Sequence, residues 1–416
     1  MSPTNRPPLE GLRVVDLTTF LSGPSATQLL GDLGAEVIKI EPLAGDSSRA
    51  IAGPEIFGDS AYFLANNRNK RSVALDLKSA EGLAILTRLI STADIVIENF
   101  RPGVCTRLGI DPVEVTTANP RLVWASISGF GQEGALRDRP AYDMVVQALS
   151  GVMSLTGHPG APAARLGIPA GDVVAGLYAV IGILAAIHAR EATGQGRIVD
   201  VSMLRGQLAM LSYQALYTIA SGVVPEPQGA GHDSIATYRS FRGGDGREFV
   251  ITANTPRMWE SMCRTIGHEE LVSDERFVTA AARLANKEAL WAILEARFAE
   301  RPAEEWVDVL TAAEVPVAPI KNVREALDDA RAADDGTLVT VRGERAEFEN
   351  VGTPIRFVDT AEFAPTYPPS LGGDTADLLI EELGFTPQQV GDLAARGVIA
   401  VAPAAARAST ETVPAG

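Results

Sequence analysis

From Val173 to Ile187 the chain is almost wholly apolar, while Asp172 stands immediately before this run and His188, Arg190 and Glu191 follow it. The run is too short to cross a bilayer and is apolar on every face, which predicts a helix at the centre of a large soluble protein. Gly176 and Gly182 lower helix propensity within it, so both are expected to mark close approach of other backbone. Gly194 supplies the stop. Asp172 then falls at or near the N-cap. Two readings stay open from the residues alone. The carboxylate is a cap that satisfies orphan N–H groups, or it is a poorly hydrated anion, held ionised by the helix start, that acts as a nucleophile.

A length of 416 residues with 46% hydrophobic side chains predicts two or three domains around an ample core. The formal charge of −16 argues against nucleic acid or an anionic membrane as partner. The opening residues 1–6 lack the apolar core of a signal peptide, so secretion is not expected. Cys105 and Cys263 lie far apart, and His158, His188, His232 and His268 have no metal-ligand spacing. These residues predict neither a disulfide framework nor a metal site, and they fit a reducing cytoplasm.

Along the chain, Leu12–Leu17, Pro24–Leu33 and Val37–Ile40 form a strand-helix-strand unit that ends in Glu41. Its turn, Ser22-Gly23-Pro24-Ser25, is not the G-x-G-x-x-G of a dinucleotide site. Strands at Ser72–Leu75, Asp94–Glu98, Leu122–Ser126 and Ile198–Ser202 and a helix at Ala80–Ile90 continue the alternation, which predicts a parallel sheet covered by helices. A single helix is expected over Leu204–Ala220. The segments read as residues 1–222 for the first part of a large domain, 223–240 for a Pro/Gly-rich linker and 241–324 for a small α/β domain. Residues 325–401 are read as an irregular return with the C-terminal part of the large domain, and 402–416 as a disordered tail.

Nine collinear motifs then resemble the family III CoA-transferases, the group of formyl-CoA:oxalate and carnitine CoA-transferases to which the α-methylacyl-CoA racemases are related. They are Leu9–Leu17, Gly23-Pro24, Leu33–Pro42, Asn69–Lys78, Glu98–Gly103, Ser128–Gly131, Gly171-Asp172, Thr193–Gly196 and Leu371–Thr375. The resemblance implies a large Rossmann-like domain built from both chain ends, an inserted smaller α/β domain, and an obligate homodimer of interlocked rings. It implies an enzyme that moves CoA from an acyl-CoA to a carboxylic acid, with CoA as substrate and product and no tightly bound cofactor. Asp172 matches the family's covalent nucleophile, which passes through a mixed anhydride and an aspartyl-CoA thioester.

By the same resemblance, Leu75, Lys78, Asn99, Phe100, Arg107 and Met203 fall on positions that line the coenzyme, with Lys78 and Arg107 as phosphate partners. Taken singly, the two cations are ordinary surface charges and Leu75, Phe100 and Met203 ordinary core; the joint placement carries the assignment. Tyr142 and Asp143 match a Tyr-acid pair beside the acyl group. Leu21 stands where formyl-transferring members carry glutamine, and their glycine-rich lid has no clear counterpart in Gly229-Ala230-Gly231. Oxalate is therefore a doubtful acceptor, and a bulkier or less polar acyl chain is expected. The rival reading within the family is a racemase, which needs a base where this chain has Tyr142, and a phenol with a reference pKa of about 10 is a poor one. A non-catalytic CoA-binding paralogue and a nicotinamide oxidoreductase are the remaining alternatives.

Overall fold

The computed structural model describes residues 6–343, 346–358 and 364–402. They fall into two compact units, one comprising Met1–Val152, Arg165–Ala220 and Asp334–Gly416, the other Met153–Ala164 and Ser221–Ala333.

In the first unit the elements are β1 (Arg13–Asp16), α1 (Ser22–Asp32), β2 (Glu36–Glu41), β3 (Lys70–Leu75), α2 (Ala80–Ser91), β4 (Ile95–Glu98), β5 (Val123–Ser128), α3 (Asp143–Leu149), α4 (Ala170–Thr193), β6 (Ile198–Ser202), α5 (Met203–Met210) and α6 (Tyr213–Ser221). The strands are short and rich in Val and Ile, and β4 and β5 are buried along their whole length, as a sheet covered on both faces requires. The order is β3-β2-β1-β4-β5-β6, all parallel, with Ile399–Ala400 added antiparallel to β3 at the edge. Residues from the far end of the chain thus complete a sheet begun by the first.

Alternation along each strand sends side chains to two separate cores. Val15, Ile38 and Val73 pack with Ile85 and Leu89 of α2 and with Leu378 and Leu393 near the C-terminus. Val14, Val37, Ile95 and Ile97 pack with Ala26 and Leu30 of α1 and Ala175, Ala179 and Ile183 of α4. The strand order reverses between β1 and β4, and in doubly wound sheets the crevice at such a point, beyond the carboxyl ends of the strands, is where ligands bind.

The helix α4 has 24 residues, more than the apolar run alone, and is long and apolar enough to cross a membrane. It is not buried on every face: Ala175, Gly176, Ala179, Val180 and Ile183 face the core, whereas Leu177, Tyr178 and Ile181 are exposed. Gly176 does meet backbone, since a Cβ there would lie 2.6 Å from Ser22 O; Gly182 instead makes room for the Val199 side chain. Gly194 ends the helix with φ +71°, as expected. At the start, Pro169 holds the N-cap position and Asp172 is the third helical residue, so Asp172 is not the cap.

Three further segments differ from expectation. The helix expected over Leu204–Ala220 is two, α5 and α6, parted at Ser212, which takes a left-handed φ of +49°. The region read as a linker belongs to the second unit, where Ser240 N donates to Ala230 O at 3.0 Å and Gly231 pairs with Arg239. The return read as irregular contains the hairpin Leu338–Arg342 and Glu347–Val351. Of the expected tail, residues 403–416 lie outside the described residues.

The second unit is a three-stranded antiparallel sheet with helices against it. Its core is aromatic: Phe298 lies 4.9 Å from Phe241, 5.2 Å from Phe249 and 5.3 Å from Trp306 between ring centroids.

Candidate active site

The crevice between β1 and β4 is built by the loops that leave them. Asn99, the first residue after β4, reaches across: its Oδ1 accepts from Thr19 N at 2.9 Å and its Nδ2 donates to Thr19 O at 2.8 Å. The same Nδ2 donates to Ser22 Oγ at 3.3 Å. Beneath this loop lies a buried set of charges. Asp16 Oδ1 accepts from Thr18 N at 2.8 Å and from Thr18 Oγ1, while Asp16 Oδ2 accepts from Thr27 Oγ1 at 2.6 Å and pairs with Lys70 at 3.2 Å. Burial alone raises the pKa of Asp16, but Lys70, Lys39 and the two threonine hydroxyls outweigh it and hold the carboxylate ionised. Lys39 Nζ donates to Thr18 O and pairs with Asp46, each at 2.8 Å. Burial pulls Lys70 down to about 8, against the attraction of Asp16.

This scaffold holds Phe20 at φ +64°, a left-handed conformation that a bulky residue adopts only when its surroundings impose it. Its N–H reaches Asp46 Oδ1 at 3.3 Å, and its ring meets Tyr142 edge-on at 6.3 Å. Leu21 follows, buried, and Ser22 opens α1.

Asp172 enters from α4. A Cβ at Gly171 would lie 2.9 Å from Asp143 Oδ1 and 3.2 Å from Gln207 Nε2, so any larger residue would displace the side chains packed at the start of α4. Gly171 N donates to Asp143 Oδ1 at 2.7 Å, and Gln147 Nε2 donates to Asp143 Oδ2 at 2.7 Å. The Asp143 carboxylate thereby ties the start of α4 to α3. Asp172 is pushed up to about 7, first by burial and then by the negative charge of Asp143, against a hydrogen bond from the Ser22 side chain. Half-buried Tyr62 is kept in its phenol form by burial and by the charges of Asp172, Asp46 and Asp143.

The residues singled out in the sequence fall as follows. Asp172, Asp143, Asn99, Leu21 and Tyr142 gather around the β1 and β4 loops, with Tyr142 69% exposed at the rim. Leu75 ends β3, Phe100 follows β4, and Met203 follows β6, all on the carboxyl edge of the parallel sheet. Leu75 and Met203 are buried, each in a different one of the two cores, and Phe100 is half-buried against the core that holds Leu75. Lys78 and Arg107 are exposed, on the turn after β3 and the short helix Val104–Leu108. Ser22, Tyr62, Gln147 and Gln207 were not read from the sequence. Ser22 lies in the Ser22-Gly23-Pro24-Ser25 turn; nothing local marks the other three. No cluster of three or more His, Cys, Asp or Glu suited to a metal occurs among the described residues.

The description of CoA-transferase family III matches residues 9–375. The chain belongs to that family. Among curated relatives of this family III CoA-transferase, the acetyl-CoA:oxalate CoA-transferase of Acetobacter aceti is 42% identical over 81% of this chain and 86% of its own. The succinyl-CoA:glutarate CoA-transferase of Homo sapiens is 32% identical over 95% and 90%. A crystal structure of a CAIB/BAIF family protein from Brucella suis superimposes with a TM-score of 0.80 at 35% identity, covering 90% of this chain and 99% of that one.

Proposed function

We propose that this enzyme transfers CoA from an acyl-CoA thioester to a carboxylic acid through covalent intermediates on Asp172. The Asp172 carboxylate attacks the thioester carbonyl, the C–S bond breaks, and a mixed anhydride forms as CoA thiolate leaves. The thiolate attacks the aspartyl carbonyl and expels the donor acid, which carries away one former Asp172 oxygen. The acceptor carboxylate then reverses the sequence. Each step exchanges one activated acyl group for another, so the free energy of the thioester is carried through.

One observation carries this reading: a carboxylate in the first turn of a long helix, in the switch-point crevice, with an affinity for protons near neutrality. An ordinary carboxylate is fully ionised at pH 7 but weakly nucleophilic; a group titrating near 7 stays substantially ionised and is the stronger base. The N-terminal end of α4 adds a positive potential where each tetrahedral oxyanion develops. Coenzyme contacts are assigned to Leu75, Lys78, Asn99, Phe100, Arg107 and Met203 on the carboxyl edge of the sheet, and acyl contacts to Leu21, Tyr142 and Asp143.

Leu177, Ile181, Leu208, Leu216 and Ile219 on α4, α5 and α6 are exposed apolar side chains, which supports a homodimer in which a second copy covers them. A monomer by sedimentation equilibrium at micromolar concentration contradicts that assembly. The names of the relatives bring oxalate and glutarate forward as first acceptors to try, although Leu21 is an apolar wall. A screen of acyl-CoA donors against carboxylic acids, read by mass spectrometry of the new thioester, tests the reaction, with Asp172→Ala as control. Run in deuterated water with a chiral 2-methylacyl-CoA, the same assay separates transfer from racemisation: transfer without α-deuteration is expected, and α-deuteration at a comparable rate overturns it.

A further inference from the structure

Asn99 is the first residue after β4, and its side-chain amide is spent on the loop that leaves β1. Its Oδ1 accepts from Thr19 N at 2.9 Å, while its Nδ2 donates to Thr19 O at 2.8 Å and to Ser22 Oγ at 3.3 Å. An amide nitrogen carries two N–H donors, and both are engaged. The amide cannot be turned round, since only an oxygen can meet Thr19 N–H and only an N–H can meet Thr19 O. The phosphates of CoA accept hydrogen bonds, and this side chain has no donor left to offer them.

The main-chain ladder between β1 and β4 ends where Leu17 N donates to Ile97 O at 2.9 Å. Past that point the Asn99 amide takes the place of a strand partner, bonding both main-chain polar groups of Thr19. The residues on either side are pinned as well: Thr18 O accepts from Lys39 Nζ at 2.8 Å, and Phe20 N donates to Asp46 Oδ1 at 3.3 Å. Between these anchors Phe20 holds φ +64°, a conformation that a bulky residue leaves once its neighbours are freed. Its ring meets Tyr142 edge-on at 6.3 Å, and Leu21 follows it, buried.

We propose that Asn99 is a positioning residue that fixes the apolar Phe20–Leu21 wall of the acyl site, and that its side chain is not a polar contact of the coenzyme. This rests on the reading of the crevice as the acyl-CoA site, with Leu21 and Tyr142 beside the acyl group. Asn99 stays on the coenzyme edge of the sheet, while its side chain works on the acyl side. Its effect belongs to discrimination between acyl chains and not to affinity for CoA.

The test uses Asn99→Ala in the full-length enzyme, with acetyl-CoA and butyryl-CoA as competing donors and calorimetry of free CoA. The ratio of kcat/KM for the two donors is expected to move toward unity by about fivefold or more, because a loosened apolar wall no longer senses added methylenes. Kd for free CoA is expected to stay within about threefold of wild type. Asn99→Asp keeps the size and an acceptor for Thr19 N but sets a second oxygen against Thr19 O. It is expected to shift the ratio in the same direction, and it carries the test if the alanine variant does not fold. An unmoved ratio in a folded variant overturns the positioning role, and a loss of CoA affinity of about tenfold beside it makes Asn99 a direct coenzyme contact. Leu21→Gln, assayed in parallel, keeps the two readings apart. If it changes the ratio while the Asn99 variants do not, only the Asn99 inference fails; if no variant changes it, the acyl assignment of Leu21 fails as well.

Discussion

Gly171 N donates to Asp143 Oδ1 at 2.7 Å, so the residue beside Asp172 is held by the carboxylate whose charge opposes ionisation of Asp172. One group thus fixes where the nucleophile stands and tunes how readily it gives up its proton. Asp143→Asn keeps an oxygen for Gly171 and removes the charge. The acidic limb of the pH-rate profile is expected to move to lower pH, and an unmoved limb contradicts the coupling. Asp143→Ala leaves the buried Gly171 N–H unpaired and is expected to cost about 1–3 kcal/mol in urea unfolding.

Asp172 should also mark the pH dependence of stability. Its folded-state value of about 7 lies above the value near 3.9 usual in an unfolded chain. Between the two, the folded state binds more protons, so the stability from this group is complete below the lower value and is lost as pH rises through the higher one. Asp172→Asn is therefore expected to unfold at higher urea than wild type at pH 8, by about 1–3 kcal/mol, and to match it near pH 4. A variant less stable than wild type at pH 8 contradicts the raised value.

The two glycines of α4 are expected to behave differently. At Gly176 an added Cβ meets Ser22 O at 2.6 Å and Ser25 Oγ at 2.8 Å, so Gly176→Ala forces α1 and α4 apart, with a loss of about 1–3 kcal/mol and a fall in kcat. At Gly182 the closest atom is Cγ1 of Val199, a side-chain tip that can rotate away, and the gain in helix propensity offsets part of the clash. Equal effects of the two substitutions on kcat contradict the role given to the α1–α4 contact. Thermal unfolding and initial rates decide it.

Charge reversal at Lys78 or Arg107 is expected to raise KM for acyl-CoA about tenfold or more, with kcat at saturation changed little, because both are assigned to phosphate in the ground state. Wild-type CoA affinity by calorimetry in both variants removes them from the coenzyme site.

The centre of the sheet was legible because β1, β2 and β4 are short Val/Ile-rich runs, and burial on both faces leaves that composition little freedom. Asp172 was legible through its Gly-Asp motif, and a Cβ at Gly171 would displace the Asp143 and Gln207 side chains. What the sequence could not show came from long-range contacts. Ser22 and Asn99 are far apart in the chain and meet because β1 and β4 are neighbours in the sheet. Tyr62 gives no local sign of the three carboxylates around it. The apolar pattern of α4 does not tell its covered side from its exposed one, since Leu177 and Ile181 carry the same hydrophobicity whether they face the core or a surface. Pro169 pushed the helix start back, placing Asp172 inside the first turn.

The covalent role of Asp172 is tested most directly by turnover with an acceptor acid whose carboxylate carries heavy oxygen. If that acceptor attacks an aspartyl-CoA thioester and its acyl group then passes to CoA, one of its oxygens remains on Asp172. Proteolysis after turnover, followed by mass spectrometry of the peptide containing Asp172, is expected to show heavy oxygen in that carboxylate. Label absent from Asp172 while labelled product thioester accumulates over many turnovers would contradict the mechanism.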